Sequence, residues 1–359
     1  MKVCFLLGGF QGNGGIGRVT SIITNSLCQF PNYDVSVISF IETEEARLYS
    51  LDERIKSYVL YREATSMTLA MLWKHAIGKV EKILRDNDID VLVACGALYF
   101  PLAVASCRRI KTRCFCWEHI NPKTITDYKF QGVCRKIGIK FAEKLLVLTK
   151  SAEKYYIEQL HAEQNQVVQI YNPAEKCLSV KYNDKSKKII SVGRLCNQKN
   201  YEMLLEMAKD ILEEHLDWEW DIYGEGELHQ ALVDRAELLG ISDRINFKGQ
   251  VMDLYERYKD YSFMVMTSRY EGFPMALLEG VANGLPLVCF DVETGPNEII
   301  SDGENGYLIE PFDRKEMIDK ICNLIRKPEL RRKFSKHALD ASEQFGLERI
   351  IEQWKKVLE

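Results

Sequence analysis

Short apolar runs of strand length alternate along this chain with longer stretches of helical periodicity, such as 16–29. Because this alternation places parallel strands side by side with helices on both faces, it predicts doubly wound α/β sheets. A chain of 359 residues is long enough for two such domains with separate cores. The predicted strands are 3–7, 35–40, 91–95, 114–117 and 144–149 in the first half, and 188–192, 218–223, 245–248, 263–267 and 286–290 in the second.

The break between the two halves is predicted near residue 172. The turn-forming segment 171–174, which reads YNPA, and the charged stretch 181–188 both have the composition of a linker. We therefore predict one domain at 1–172 and a second at 173–340. The remaining segment, 341–359, contains a run of helical periodicity from residue 347 onward.

Composition excludes several classes of protein. The formal net charge is −4, which gives no general attraction to nucleic acid. No segment approaches the ~20 uninterrupted apolar residues that a membrane span needs. The apolar run that follows Met1 and Lys2 is too short for a signal peptide. The sequence therefore predicts a cytoplasmic protein without a nucleic-acid partner.

The eleven cysteines are interpreted as reduced thiols, because most of them lie in apolar, strand-like runs of a long chain. Cys107, Cys114, Cys116 and His119 offer an alternative, which is a zinc site. Alternation along a strand turns Cys114 and Cys116 toward the same face, so packing in the core is the preferred interpretation.

Two glutamates, Glu271 and Glu279, stand eight positions apart around a predicted helix start. Pro274 favours the first turn of a helix, so we predict a loop carrying Glu271 and a helix from about residue 274. The free N–H groups and positive dipole end at such a start suit a phosphate, and a carboxylate on each side suits hydroxyl groups. The alternative is one glutamate that only stabilises the helix dipole and a second that is solvated.

A basic loop follows the strand predicted at 188–192. Arg194 and Lys199 would project from it at the carboxyl end of a parallel strand, where open sheets of this kind bind their ligands. An arginine can grip phosphate oxygens with two hydrogen bonds, and a lysine adds a point charge. The alternative is a solvated basic loop without a ligand.

A glycine-rich loop, GNGGIG at 12–17, follows the first strand and matches the dinucleotide-binding pattern G-x-G-x-x-G. That pattern also requires an acidic residue about 20 positions further on. Here the second strand ends at Glu42, roughly ten residues late for the pattern. The preferred interpretation is a loop whose Gly14 and Gly15 allow a diphosphate to approach the backbone closely.

Residues 189–310 resemble the donor-binding half of the retaining glycosyltransferases of family 4, which have the GT-B fold. The N-terminal half resembles the family less strongly, through its glycine loop with Arg18 and through His119. The matching stretches in the second half are VGRL at 192–195 with Lys199, YGEGE at 223–227, FKG at 247–249, the two spaced glutamates, ANGLPLV at 282–288, GPNEII at 295–300 and DGENG at 302–306.

The resemblance implies two Rossmann-like domains that face a cleft. The first, 1–172, would bind the acceptor, the second, 173–340, would bind a nucleotide-diphosphate sugar, and the helix in 341–359 would cross back to the first. Glu271 would hold sugar hydroxyls and Glu279 the ribose hydroxyls.

The resemblance also implies how the reaction proceeds. Arg194 and Lys199, with the backbone of Gly272, Phe273 and Pro274, would stabilise the leaving diphosphate. His119 would hydrogen-bond the transferred sugar, with Glu118 as the alternative residue. The anomeric configuration would be retained without a protein nucleophile.

No metal or cofactor is predicted besides the donor sugar nucleotide. The tripeptide 88–90 reads DID and matches the D-x-D signature of metal-dependent glycosyltransferases. It directly precedes the strand 91–95, so we interpret it as a cap on the turn that enters this strand. Arg194 and Lys199 can neutralise a diphosphate without a divalent ion.

The segment 108–154 is strongly basic, which suggests a contact with anionic lipid. Each positive charge near such a membrane contributes on the order of 1 kcal/mol to the binding free energy. The other interpretation is a set of solvated helix faces. Docking at the inner leaflet would make a lipid-linked sugar the acceptor. Its cations are Arg108, Arg109, Lys111, Arg113, Lys123, Lys129, Arg135, Lys136, Lys140, Lys144, Lys150 and Lys154, with Tyr128 and Phe130 among them.

Alternative functions remain open at the level of the sequence. They are a nucleotide-sugar epimerase or phosphorylase on a similar two-domain fold, an NAD-dependent oxidoreductase, and a binding protein without catalysis. UDP is preferred over GDP only because it is more frequent in the family. The segment 249–253 should contact the base of the nucleotide, but its sequence does not distinguish UDP from GDP.

Overall fold

A computed structural model describes residues 1–11, 14–43, 47–63, 69–123, 130–174, 182–251 and 254–359. The chain divides into two compact units, Met1–Asn172 together with Glu348–Glu359, and Pro173–Leu347. Each unit is built around one parallel sheet with helical connections. The prediction of two doubly wound, Rossmann-like sheets is therefore confirmed.

The first unit contains a seven-stranded sheet with the order β3-β2-β1-β4-β5-β6-β7. All neighbouring strands pair in parallel. The central strands are buried because helices cover both faces, which is why they read as continuous apolar runs. The elements are β1 (Lys2–Leu7), α1 (Gly15–Leu27), β2 (Asp34–Ile41), β3 (Lys56–Tyr61), α2 (Leu69–Asp86), β4 (Val91–Cys95), α3 (Phe100–Cys107), β5 (Arg113–Trp117), α4 (Gln131–Phe141), β6 (Lys144–Val147), α5 (Lys150–Glu158) and β7 (Val167–Gln169).

The second unit contains a six-stranded parallel sheet with the order β10-β9-β8-β11-β12-β13. No helix in the described part of the chain is long and apolar enough to cross a membrane. The elements are β8 (Lys188–Val192), α6 (Tyr201–Glu214), β9 (Glu219–Tyr223), α7 (His229–Leu238), β10 (Ile245–Gly249), α8 (Leu254–Arg257), β11 (Phe263–Met266), α9 (Met275–Ala282), β12 (Leu287–Phe290), α10 (Pro296–Ile299), β13 (Gly306–Ile309), α11 (Arg314–Arg326) and α12 (Pro328–Ser342). The last helix, α13 (Leu347–Leu358), belongs to the first unit from Glu348 onward.

Every strand predicted from the sequence is present, but β3, β7 and β13 were not predicted. All three lie at an edge of their sheet. An edge strand is covered less completely than a central one, so it needs no continuous apolar run. β3, for example, reads KSYVLY, and only one of its six residues is buried. Strand β8 begins at Lys188, as predicted, so the predicted linker ends there. Residues 175–181 lie outside the described part.

Cysteines belong to the hydrophobic cores, as the sequence predicted. Nine of the ten cysteines in the described part are buried, Cys196 is partly exposed, and none of the ten forms a disulfide. Cys107, Cys114 and Cys116 pack in one apolar cluster of the first unit. Burial raises the pKa of Cys4 and of Cys95 to about 12, so these thiols are protonated and unreactive.

The C-terminal helix α13 packs against the first unit through one face. Trp354 is fully buried, with its ring centroid 4.7 Å from that of Trp117 and 5.7 Å from that of Phe5. The guanidinium of Arg113 donates a hydrogen bond to the carbonyl oxygen of Leu358, 2.5 Å away. These contacts fasten the end of the chain to strands β1 and β5. In the structure, the returning segment is Glu348–Glu359.

We expect Trp354→Ala to destabilise the first unit by about 3–5 kcal/mol, because it leaves a cavity against two buried aromatic rings. The measurement is hydrogen exchange of the β1 and β5 amides. These amides should exchange faster, while those of β8 and β11 should be unchanged. The control is Lys356→Ala, which removes an exposed side chain of the same helix. Equal exchange in the two variants would show that the helix does not stabilise this sheet.

Candidate functional site

The order of strands reverses beside β8, since β9 lies on one side of it and β11 on the other. Loops that leave neighbouring strands at such a reversal turn away from each other and open a crevice at the carboxyl edge of the sheet. The loop after β8 carries Arg194 and Lys199, and the loop after β11 carries Glu271. The sheet therefore brings these three predicted site residues to the same edge.

Hydrogen bonds join these two loops directly. The hydroxyl of Thr267 donates to the carbonyl oxygens of Lys199 at 3.0 Å and Asn200 at 3.2 Å. The backbone N–H of Arg269 donates to the carbonyl of Gln198 at 2.8 Å. The side-chain amide of Gln198 in turn donates to the carbonyl of Tyr270 at 3.0 Å. The loops thus form one connected wall, which fixes the positions of the charged side chains they carry.

Lys199 and Glu271 form an ion pair across this wall, with 2.6 Å between Nζ and Oε1. The Glu271 side chain is 6% exposed and that of Lys199 is 17% exposed. A carboxylate buried to this degree needs a charged or hydrogen-bonding partner, and the lysine supplies it. The pairing was not predicted, because the sequence assigned the two residues to different parts of a ligand.

Glycines in the YGEG segment allow the loop after β9 to touch the loop after β8. A Cβ atom on Gly224, whose φ is +139°, would lie 2.0 Å from the carbonyl oxygen of Gly193. A Cβ on Gly226 would lie 2.3 Å from the carbonyl oxygen of Leu195. No larger residue fits at either position without moving the backbone. These two glycines shape the loop that carries Arg194.

Glu279 is buried in α9 and is only 2% exposed, so the interpretation as a solvated helix residue is wrong. Its Oε2 accepts a hydrogen bond from the hydroxyl of Tyr258 at 2.7 Å. Tyr258 is a site residue that the sequence analysis missed, because no motif surrounds it and the contact spans 21 positions. The helix itself begins at Met275, so Pro274 occupies the N-cap position and not the first turn.

The turn before α9 is supported by the segment that precedes α10. The Thr294 hydroxyl donates to the carbonyl of Gly272 at 2.8 Å. Gly295 has a φ of +96°, and a Cβ there would lie 2.9 Å from the same Gly272 carbonyl. Phe273 is buried, with its ring 5.8 Å from that of Phe345. Contacts with Thr294, Gly295 and Phe345 therefore fix the turn 272–274, from which α9 starts.

Arg194 differs from Lys199 in having an exposed side chain. Among the described residues, no hydrogen bond or ion pair engages its guanidinium. The segment beyond β10, which should meet a base, is described only to residue 251; Met252 and Asp253 lie outside the described part. Arg194 is thus a cation of this edge that is available to an anionic ligand.

In the first unit, α1 begins at Gly15, directly after its N-cap Gly14, at the carboxyl edge of the sheet. A Cβ on Gly14 would meet nothing within 4 Å among the described residues, so packing does not explain this glycine. Gly12 and Asn13 lie outside the described part. Glu42, the acidic residue that a dinucleotide would need, is already ion-paired with Arg47.

His119 follows β5 at the same edge of the first sheet. Its ring centroid lies 4.2 Å from that of Trp117, and its Nε2 atom is buried without a hydrogen-bond partner among the described residues. Burial lowers the pKa of His119 to about 3, so the imidazole is neutral at physiological pH. A neutral imidazole with an unused nitrogen can hydrogen-bond a ligand without contributing charge.

The two aspartates of the DID tripeptide lie away from these edges. Asp90 accepts a hydrogen bond from the backbone N–H of Lys2 at 2.7 Å, and Asp88 is 3.5 Å from the ammonium of Lys2. Both aspartates precede β4, at the amino edge of its sheet. In the described part of the chain, one group has the spacing of metal ligands: Glu214, His215 and Cys322. The Glu214 carboxylate already pairs with Arg326.

Fewer cations of the basic segment 108–154 are exposed, among its described residues, than its sequence suggests. Arg135 is 5% exposed and forms a buried ion pair with Glu118, so its assignment to a basic surface is wrong. Arg113 pairs with Glu143 at 2.8 Å. Residues 124–129, including Tyr128 and Lys129, lie outside the described part. The exposed cations of the segment are Arg108, Arg109, Lys111, Lys123, Lys136, Lys140, Lys150 and Lys154.

Comparison with known proteins identifies the class of this chain. The family model described as Glycosyl transferases group 1 matches residues 179–340. The chain is 26% identical to an uncharacterized glycosyltransferase of Haemophilus influenzae over 99% of both chains. It is 28% identical to the amylovoran biosynthesis glycosyltransferase AmsD of Erwinia amylovora, again over 99% of both.

A similar solved structure is that of a TarM variant of S. aureus in complex with fondaparinux, α-GlcNAc-glycerol and UDP. It matches with a TM-score of 0.85 and 16% identity, over 100% of this chain and 99% of that one. A likeness at this identity establishes the fold, which is GT-B. The chain is therefore a glycosyltransferase enzyme with the GT-B fold, and its residues 179–340 form a glycosyl transferases group 1 domain.

Proposed function

We propose that this enzyme is a retaining glycosyltransferase of family 4. It transfers a hexose or an N-acetylhexosamine from a UDP-sugar to a saccharide or lipid-linked saccharide in glycan biosynthesis. The observation that carries the proposal is the wall formed by the loops after β8 and β11, where Lys199 and Glu271 pair at 2.6 Å next to α9. A sugar diphosphate needs cations, a helix N-terminus and hydroxyl acceptors close together, and this edge supplies all three.

Arg194 and Lys199 bind the diphosphate in this proposal. The exposed guanidinium of Arg194 can contact two phosphate oxygens, and the N-terminus of α9 adds its positive dipole end. These groups stabilise the negative charge that grows on the diphosphate as the glycosidic bond breaks. The charge is balanced without a divalent ion, and independence from metal stays a prediction.

Glu271 and Glu279 bind hydroxyl groups. Lys199 occupies Oε1 of Glu271, so Oε2 accepts hydrogen bonds from the transferred sugar. The hydroxyl of Tyr258 donates to Oε2 of Glu279 and restricts the rotamer of this carboxylate, which binds the ribose hydroxyls in this proposal. Glu271 thus uses one oxygen for the protein and one for the donor.

His119 and the Gly14–Gly15 turn contact the donor from the first unit. The neutral imidazole forms one hydrogen bond with a hydroxyl of the sugar, either as donor or as acceptor. The open space at Gly14 lets a diphosphate approach the start of α1. The acceptor hydroxyl attacks the anomeric carbon from the face that the diphosphate leaves. A diphosphate oxygen takes the hydroxyl proton, so no protein nucleophile is required.

The names of similar proteins support the choice of substrates. AmsD belongs by its name to amylovoran biosynthesis, and the TarM structure contains UDP together with a glycerol-linked GlcNAc. UDP is therefore preferred over GDP as the nucleotide, and a growing glycan is the preferred acceptor. The match to glycosyl transferases group 1 favours transfer over epimerisation or hydride chemistry.

We expect UDP to raise the thermal stability of the protein, and this increase should be lost in Arg194→Ala. Ligand at a hundred times its dissociation constant stabilises a fold by about 2.7 kcal/mol, which a thermal shift detects easily. The measurement compares UDP, GDP and NAD. Arg109→Ala, which removes an exposed arginine of the first unit, is the control and should keep the full response.

A response to NAD alone would contradict the proposal and favour the dinucleotide interpretation of the glycine loop. Glu271→Gln separates an enzyme from a binding protein. In a transferase, this exchange should lower the release of UDP from UDP-N-acetylglucosamine, whereas in a binding protein it would change affinity only.

We further propose that the first unit docks peripherally on anionic lipid at the inner leaflet through α4. Three of the eight exposed large apolar residues in the described part lie on this helix or at its start: Phe130, Val133 and Phe141. Exposed Lys136 and Lys140 flank them, and the ammonium of Lys140 lies 5.3 Å from the Phe141 ring. An apolar ridge surrounded by cations complements an anionic membrane surface.

We expect Lys136→Ser combined with Lys140→Ser to weaken vesicle binding by about 2 kcal/mol, at about 1 kcal/mol per charge. The measurement is co-sedimentation with vesicles of equal parts phosphatidylglycerol and phosphatidylcholine. The control is Lys333→Ser with Lys336→Ser, which removes two exposed lysines of α12 in the second unit. Equal binding of both double variants, or equal binding to pure phosphatidylcholine, would show that α4 is not a docking surface.

A further inference from the structure

Glu118 directly follows β5 and precedes His119, and its carboxylate is almost fully buried, with 2% of the residue exposed. Its Oε1 accepts hydrogen bonds from the backbone N–H groups of His119 and Ile120, each at 3.2 Å. One side-chain oxygen thus holds the backbone on which the candidate catalytic histidine is carried.

The other oxygen of Glu118 is held by two helices. Nε of Arg135, on α4, donates to Oε2 at 2.6 Å, and the hydroxyl of Tyr156, on α5, donates at 2.9 Å. Tyr156 is fully buried, and burial together with the nearby carboxylate raises its pKa well above the usual value, so it stays a donor. With four donors bound, Glu118 has no oxygen left for a substrate and cannot replace His119.

Fold stability does not account for this arrangement. Removing a carboxylate and a guanidinium from water costs free energy that their attraction recovers only in part, and apolar pairs of similar size are often at least as stable. What an apolar pair cannot supply is an acceptor for the His119 and Ile120 N–H groups. The charged pair is therefore explained by the need to fix the backbone at His119 and Ile120.

We infer that Glu118 is a positioning residue, which ties the His119 loop to α4 and α5 so that the imidazole is presented in one orientation to the donor sugar. The part of this inference that concerns the sugar rests on the proposed function. The positioning itself concerns only the protein and is tested without substrate.

The test replaces the charged pair by an apolar one, Glu118→Leu with Arg135→Met, which leaves no unpaired charge in the core. The readout is the imidazole NMR signal of His119, assigned by its loss in His119→Ala. In the unaltered protein this signal should not titrate between about pH 8 and pH 5, because burial keeps the ring neutral. In the double variant, water reaches the released loop and the signal should titrate near the ordinary pKa of about 6.5.

A matched control applies the same exchanges to an Arg–Glu pair on α2 of the same unit, Glu81→Leu with Arg85→Met. This variant should leave the His119 signal unchanged. A folded Glu118→Leu/Arg135→Met protein in which His119 still does not titrate would overturn the inference. If that variant does not fold, Tyr156→Phe removes a single hydrogen bond from Glu118. The His119 and Ile120 amides should then exchange faster with solvent, and unchanged exchange would equally overturn the inference.

Turnover separates this inference from the proposed function. For release of UDP from UDP-N-acetylglucosamine, Glu118→Leu/Arg135→Met should lower kcat about 10- to 100-fold with little change in KM. In a His119→Ala background, the same exchange should have almost no further effect, because both changes act through one group. If His119→Ala retains full turnover while the titration still responds to the loss of Glu118, the role of His119 is wrong and the positioning stands.

Discussion

The reversal of strand order beside β8 is the constraint on which the candidate site of the second unit depends. The neighbouring parallel strands β8 and β11 send their loops apart, and the side chains at the loop starts are left facing one opening. Thr267 and Gln198 then join the loops by hydrogen bonds, so the opening has a fixed wall. Lys199 and Glu271, 72 positions apart in sequence, can form a 2.6 Å pair only because this topology makes their loops neighbours.

Three buried carboxylates follow one physical rule. Glu118, Glu271 and Glu279 are each at most 5% exposed, and each has a partner that donates a hydrogen bond: Arg135, Lys199 and Tyr258 respectively. A carboxylate removed from water must be neutralised or hydrogen-bonded, and every partner also restricts its rotamer. In Glu271 the lysine holds one oxygen, Oε1. In Glu118 both oxygens accept hydrogen bonds from the protein, which is expected of a residue that positions its neighbour His119 and does not bind a ligand itself.

Sequence reasoning succeeded where the physical signal is local. Central strands such as β4 are apolar over their whole length because both faces are covered; β4 and β8 were located to the residue and the other predicted strands to within one or two residues. Edge strands such as β3 lack that cover and were missed. Arg135 looked like a surface cation because neighbouring lysines are exposed, yet its position on α4 turns it toward Glu118. Nothing in the local sequence distinguishes an inward from an outward arginine when its partner lies 17 positions away.

By itself, the amino-acid sequence determined the α/β class, the two sheets, the reduced cysteines and the identity of the candidate donor-edge residues, because strand burial and loop chemistry are encoded within short segments. Only the tertiary structure decided which of these residues touch. It paired Lys199 with Glu271, Glu279 with the hydroxyl of Tyr258, and Arg135 with Glu118. Such contacts depend on strand order and helix rotation, which arise from the packing of the whole sheet and not from any one segment.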